Sequence, residues 1–199
     1  MRLNARKRRR ILALAALLAA LALAVYLILD NAVFIARDVR VEGNETIDDE
    51  SIMRAAKLPL GEKMRNVDAE QVRASLESGG QVELVSLEKN YPSEIVLTVR
   101  ERVCEAVVMH AGVVLTLERD GTVIEQLQAL PDADAVYVTG LGVTSYRLGQ
   151  VVSAPADRLT AMVEVLNALY ENGATAYVSE LNVSNANSIY IYSRTGMRV

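Results

Sequence analysis

Side chains that commonly do acid–base, nucleophilic or metal chemistry are scarce in these 199 residues. Histidine, the usual proton carrier and metal ligand near neutral pH, occurs once. His110 stands between Met109 and Ala111 at an expected strand end, with no second ligand at a recognisable spacing. Cysteine also occurs once, so no disulfide can form within the chain. A thiol nucleophile needs a base and an electropositive setting. Cys104 lies between Val103 and Glu105 in a strand context, which reads as a small buried apolar side chain. Two acidic clusters remain. Asp48-Asp49-Glu50 suits the positive end of a helix dipole. Asp132-Ala133-Asp134 lacks the glycine and distal glutamate of a calcium loop. There is no phosphate-binding loop, no G-x-G-x-x-G and no G-x-S-x-G. Eight tyrosines, one phenylalanine and no tryptophan form no evident aromatic cage. Asn44-Glu45-Thr46 and Asn182-Val183-Ser184 fit the glycosylation sequon, a pattern short enough to arise by chance. The inventory predicts no catalytic residue, no cofactor, no metal and no small-molecule substrate.

What the chain does possess is a membrane signature. Residues 11–29 hold no charge and follow the basic run Arg6, Lys7, Arg8, Arg9 and Arg10. At ~1.5 Å of helical rise per residue, such a stretch reaches about 28 Å, close to the ~30 Å of a bilayer's hydrocarbon core. The basic run beside it is a positive-inside signal, placing residues 1–10 in the cytoplasm and residues 30–199 outside, on a single pass. Ala22-Leu23-Ala24 resembles a signal-peptide cleavage site. The apolar run continues past it to Leu29 and exceeds the 7–15 residues usual for a signal's apolar region, so an uncleaved anchor is expected. Six of the 21 basic residues precede the span, leaving 15 to face all 25 acidic ones. An acidic body without a basic stripe argues against nucleic acid as a partner.

Behind a short juncture at residues 30–38, Val39-Arg40-Val41-Glu42-Gly43-Asn44 alternates like a half-buried strand and stops at a turn. Thr46-Ile47-Asp48-Asp49 follows the spacing of a capping box, with Ile52, Ala55 and Ala56 on one face of the helix behind it. Leu58-Pro59 ends that helix. A second helix starts at Asp68, carries Val72 and Leu76, and closes at Gly79-Gly80. Strands are expected over 82–89 and 94–102 around a turn at Asn90-Tyr91-Pro92-Ser93, with Ile95, Leu97 and Val99 facing inward. Further strands are predicted at 106–109, 113–117, 122–124 and 136–138, with Asp120-Gly121 as a hairpin turn. Residues 140–153 read as a loop. Pro155 suits the first turn of a helix whose stripe is Leu159, Met162, Val163, Leu166, Leu169 and Tyr170, ending at Gly173. Two last strands are expected at about 176–183 and 188–193.

This order of elements, with particular residues, resembles the FtsQ/DivIB family of bacterial cell-division proteins over nearly the whole chain. The carrying pieces are the basic tail and span, Phe34 through Val41, Gly43 and Asn44, then Ile52, Leu58, Gly61 and Val67-Asp68. Most specific is the run from Tyr91 and Pro92 to Glu101 and Arg102, similar to the family's Tyr-Pro turn and strand ending in Glu-Arg. Asp120 and Gly121 look like its hairpin. The resemblance implies an α+β fold: a cytoplasmic tail (1–10), a transmembrane helix (11–29), a POTRA domain (34–102, βααββ) and a mostly antiparallel β domain with one long helix (103–199). It implies a non-catalytic bitopic scaffold of the division machinery at the septum, associated with division proteins of the FtsL and FtsB/DivIC types and with septal peptidoglycan synthesis. Two departures stand out. Cys104 stands where many relatives carry proline, and Thr195-Gly196-Met197-Arg198-Val199 matches the start of a strand that relatives continue, so the β domain is expected to be incomplete. No partner contact is carried over. The competing expectation is a POTRA-like chaperone or transport adaptor, anchored or secreted, with no part in division.

Overall fold

Residues 5–29, 33–131, 134–195 and 197 are described by a computed structural model. Asp132 and Ala133 of the second acidic cluster, the side chain of Arg6, and Gly196, Arg198 and Val199 lie outside the described set. Helix α1 (Ala5–Ile28) takes in the basic run and most of the apolar stretch. Lys7–Ile28 is long and apolar enough to cross a bilayer, and none of it is buried against the rest of the protein.

The first folded unit reads β1 (Asp38–Glu42), α2 (Asp49–Ala56), α3 (Ala69–Glu77), β2 (Val82–Asn90) and β3 (Glu94–Glu101). Its sheet has the order β1-β3-β2, with β3 central, parallel to β1 and antiparallel to β2. Central placement explains why β3 is the cleanest alternating strand: Ile95, Leu97 and Val99 point into the core formed with Ile52 and Ala56 of α2 and Val72 and Leu76 of α3. The βααββ order is as the sequence predicts. One local expectation is corrected. Helix α2 is capped by Asp48, whose carboxylate accepts from the Ser51 N–H at 2.8 Å, and Thr46 is not its cap. Thr46 is held by Glu101 instead. Asp68 does cap α3, accepting from the Glu70 N–H at 3.0 Å.

The second unit comprises β4 (Ala106–His110), β5 (Val113–Leu117), β6 (Val123–Leu127), β7 (Val136–Thr139), α4 (Ala156–Glu171), β8 (Val178–Asn182) and β9 (Tyr190–Ser193). The strands form one sheet, β6-β5-β4-β7-β8-β9. Three of its five pairings are antiparallel, while β4–β7 and β7–β8 at the centre are parallel. Parallel neighbours need a long crossover, and α4 lies in the one joining β7 to β8. Met162 and Leu166 of α4 are fully buried against Leu115, Leu117, Val138 and Leu181. Tyr170 departs from its expected place on that stripe. It is 56% exposed, with the Arg119 guanidinium 3.6 Å from its ring centroid. Pro155 sits at the N-cap of α4, one place before the first turn.

Candidate functional site

The two chemically suggestive residues are kept apart. Cys104 lies in the connection between β3 and β4, outside any strand, and His110 ends β4. The Cys104 Sγ lies 3.7 Å from the Ala106 carbonyl oxygen and meets no base among the described residues. Burial pushes the Cys104 thiol up to about 11, which disfavours the thiolate. His110 stacks edge-to-face on Tyr146, centroids 5.8 Å apart. Among the described residues, no three His, Cys, Asp or Glu side chains are grouped to hold a metal.

The residues that do converge come from the two ends of the first unit. Glu101, closing β3, turns its carboxylate onto the segment behind β1. Its Oε1 accepts from the backbone N–H groups of Glu45 (2.8 Å), Thr46 (2.9 Å) and Ile47 (2.8 Å), and its Oε2 from the Thr46 hydroxyl. These bonds favour the charged form, the Thr46 hydroxyl foremost, and pull the Glu101 carboxyl down to about 2. Asn44 completes the turn, donating to the Ile47 carbonyl at 2.7 Å and to Asp49 at 2.8 Å. Gly43 lies so close to β3 that a Cβ there would stand 2.2 Å from the Val99 carbonyl oxygen. Thus the turn at Gly43 and Asn44 and the carboxylate of Glu101, distant in sequence, form one latch, while Val41 pairs with Leu97 in the core.

Arg102 faces the opposite way, into the second unit. Its side chain is 7% exposed and its Nη1 lies 2.5 Å from Oε2 of Glu118, itself 12% exposed. The other Glu118 oxygen takes Arg100, which also binds Glu83 through Nη2 at 2.5 Å and Nε at 3.0 Å. Paired first with Glu118 and then Glu83, Arg100 is held above the ordinary guanidinium pKa. Asp120 and Gly121 place Glu118: the Asp120 carboxylate accepts from the Thr122 N–H and hydroxyl at 2.8 and 2.9 Å, and the Gly121 N–H donates to the Glu118 carbonyl at 2.9 Å. Beside this joint, within the second unit, Arg119 pairs with Glu105 at 2.6 Å, and burial raises the Glu105 carboxyl despite it. Backbone also meets backbone. A Cβ on Gly149 would stand 1.8 Å from the Glu77 carbonyl oxygen, and one on Gly80 2.2 Å from that of Ile124. Beside this junction, Ala74, Glu77 and Ser78 face Arg147, Leu148 and Gln150 across a cleft of about 530 Å³.

Residues 34–102 match the family model of the POTRA domain, FtsQ-type. The first unit is therefore a POTRA domain of the FtsQ type. Preceded by an apolar helix, it fits an FtsQ/DivIB-type protein, and domains of this type are generally non-enzymatic. No curated protein matches the chain.

Among the described residues, the outermost strands are β1 and β2 in the POTRA domain and β6 and β9 in the second unit, and the Leu84 backbone of β2 is already bonded to the Arg73 and Glu77 side chains. Part of β6 is already covered, since the Val123 N–H donates to the Gln150 carbonyl at 2.9 Å and the Gly149 N–H to the Val123 carbonyl at 2.7 Å. Edge strands offer unpaired backbone groups to another chain. Tyr91 and Pro92, at the β2–β3 turn, are exposed. Sequence reasoning singled out Gly43, Asn44, Glu101, Arg102, Asp120 and Gly121 without placing them together. It missed Glu118, Gly80 and Gly149 as joint residues, because nothing in a lone glutamate or glycine tells which chain segment will approach it.

Proposed function

We propose that this protein is a non-catalytic, single-pass membrane scaffold of the bacterial division machinery. Its amino-terminal tail lies in the cytoplasm and its folded body outside, where it links division proteins of the FtsL and FtsB/DivIC types to septal peptidoglycan synthesis. The observation that carries this reading is an FtsQ-type POTRA domain set directly behind an apolar helix of bilayer-spanning length. The basic run at Lys7–Arg10 supports the orientation. A cross-braced pair of domains with outer strand edges is suited to recruiting chains by backbone pairing, which needs no active site. A fluorescent fusion in the native host tests the reading. Enrichment at the constriction site is expected; uniform membrane fluorescence throughout constriction overturns it.

A further inference from the structure

The end of the POTRA domain nearest α1 carries an apolar rim that the scaffold reading leaves unused. Leu60 is 53% exposed and Tyr91 60% exposed. The Phe34 ring stands edge-to-face on Tyr91, centroids 5.3 Å apart. Three backbone segments bring them together: the Gly61 N–H donates to the Ala36 carbonyl at 2.8 Å, the Met64 N–H to the Phe34 carbonyl at 3.0 Å, and the Arg37 N–H to the Ser93 carbonyl at 2.9 Å. So the loop holding Leu60 and the turn holding Tyr91 and Pro92 both flank residues 34–38. That segment is the first piece of the domain after the span. Leu29 and Phe34 are five residues apart, at most about 18 Å of fully extended chain, and the Phe34 N–H reaches the Leu29 carbonyl at 3.0 Å.

We infer that this rim, Phe34, Leu60, Tyr91 and Pro92, is a membrane-docking surface that seats the POTRA domain on the headgroup–acyl boundary of the bilayer its own helix enters. The inference rests on reading α1 as an uncleaved span. Tyrosine is enriched at membrane interfaces because its ring is apolar and its hydroxyl can stay wet. The same rim carries Arg37 and Lys63 beside Glu62 and Asp38, charges of both signs. Apolar insertion, and not attraction to anionic lipid, therefore carries the docking. Seating the domain this way would remove a swivel between anchor and body and fix the height and tilt at which the strand edges are presented.

The chain has no tryptophan, so one substitution makes a unique reporter. Tyr91→Trp and Leu60→Trp test the rim, and Tyr177→Trp, at a site 73% exposed in the second unit, is the control. The full chain is reconstituted in vesicles of zwitterionic phosphatidylcholine, with and without lipids brominated near the headgroup end of their acyl chains. Quenching by brominated lipid several-fold stronger at positions 91 and 60 than at 177 is expected. A chain that floats with vesicles but is quenched no more at the rim than at 177 overturns docking and leaves the anchor standing. A blue-shifted rim tryptophan insensitive to bromine also overturns it, in favour of a protein surface. A chain that does not float removes the anchor and docking together.

Discussion

Replacing Glu118 by alanine tests whether the two domains are braced by a buried ion pair or merely decorated by surface ones. Arg102 and Glu118 have side chains 7% and 12% exposed and meet at 2.5 Å. Truncating one partner of such a pair leaves a buried guanidinium uncompensated, an effect of about 3–5 kcal/mol. The same substitution also removes the ion pair with Arg100, whose side chain is 48% exposed, and an exposed pair contributes at most about 1 kcal/mol. The expected destabilisation for Glu118→Ala is thus about 3 kcal/mol or more, dominated by Arg102. Removing both charges with similar volume, as Arg102→Met with Glu118→Leu, should recover most of it, because a buried pair replaced by apolar groups is often neutral. Urea denaturation of the detergent-solubilised chain, followed by circular dichroism, compares the wild type, Glu118→Ala and the double variant. The single variant should also separate one unfolding transition into two if Glu118 couples the domains. A destabilisation below about 1 kcal/mol for Glu118→Ala, the value of an exposed pair, would refute the assignment.

Three further expectations follow from the same geometry. Gly149→Ala forces a Cβ to within 1.8 Å of the Glu77 carbonyl oxygen at a φ of +72°, so the domains must part locally. Limited proteolysis should then cut the 102–105 connection faster, and an unchanged cleavage rate would count against the close approach. Glu101→Gln should lower the melting temperature at neutral pH. The carboxyl's folded value of about 2 lies below its ordinary 4.5, so the carboxylate's contribution is full above 4.5 and fades as pH falls towards 2. Wild type and variant should therefore converge in acid, and a gap independent of pH would show that Glu101 acts only by packing. Leu97→Asp places a carboxylate at a fully buried position of the central POTRA strand. An unpaired buried charge costs several kcal/mol against a domain stability of ~5–15 kcal/mol, so loss of cooperative POTRA unfolding by hydrogen exchange is expected.

Features that depend on neighbours along the chain are legible from residue order alone. Uninterrupted apolar residues marked the span, alternation marked β3, Asp68 marked the start of α3, and Asp120-Gly121 marked a turn, because periodicity and turn chemistry act over a few residues. The remainder rests on contacts between segments far apart in the chain. Thr46 left its expected capping place because Glu101, 55 residues away, drew it and its backbone neighbours into a nest of donors. Tyr170 left the core stripe because Arg119 covers its ring. Alternation reports a buried face but not the direction of the neighbouring strand, so the parallel centre of the second sheet was invisible until the crossover through α4 was seen. Nothing along the chain tells that Arg102 and Glu118, 16 residues apart, will pair. Only the hairpin at Asp120-Gly121, folded back against the end of β3, takes both out of water and makes them a joint.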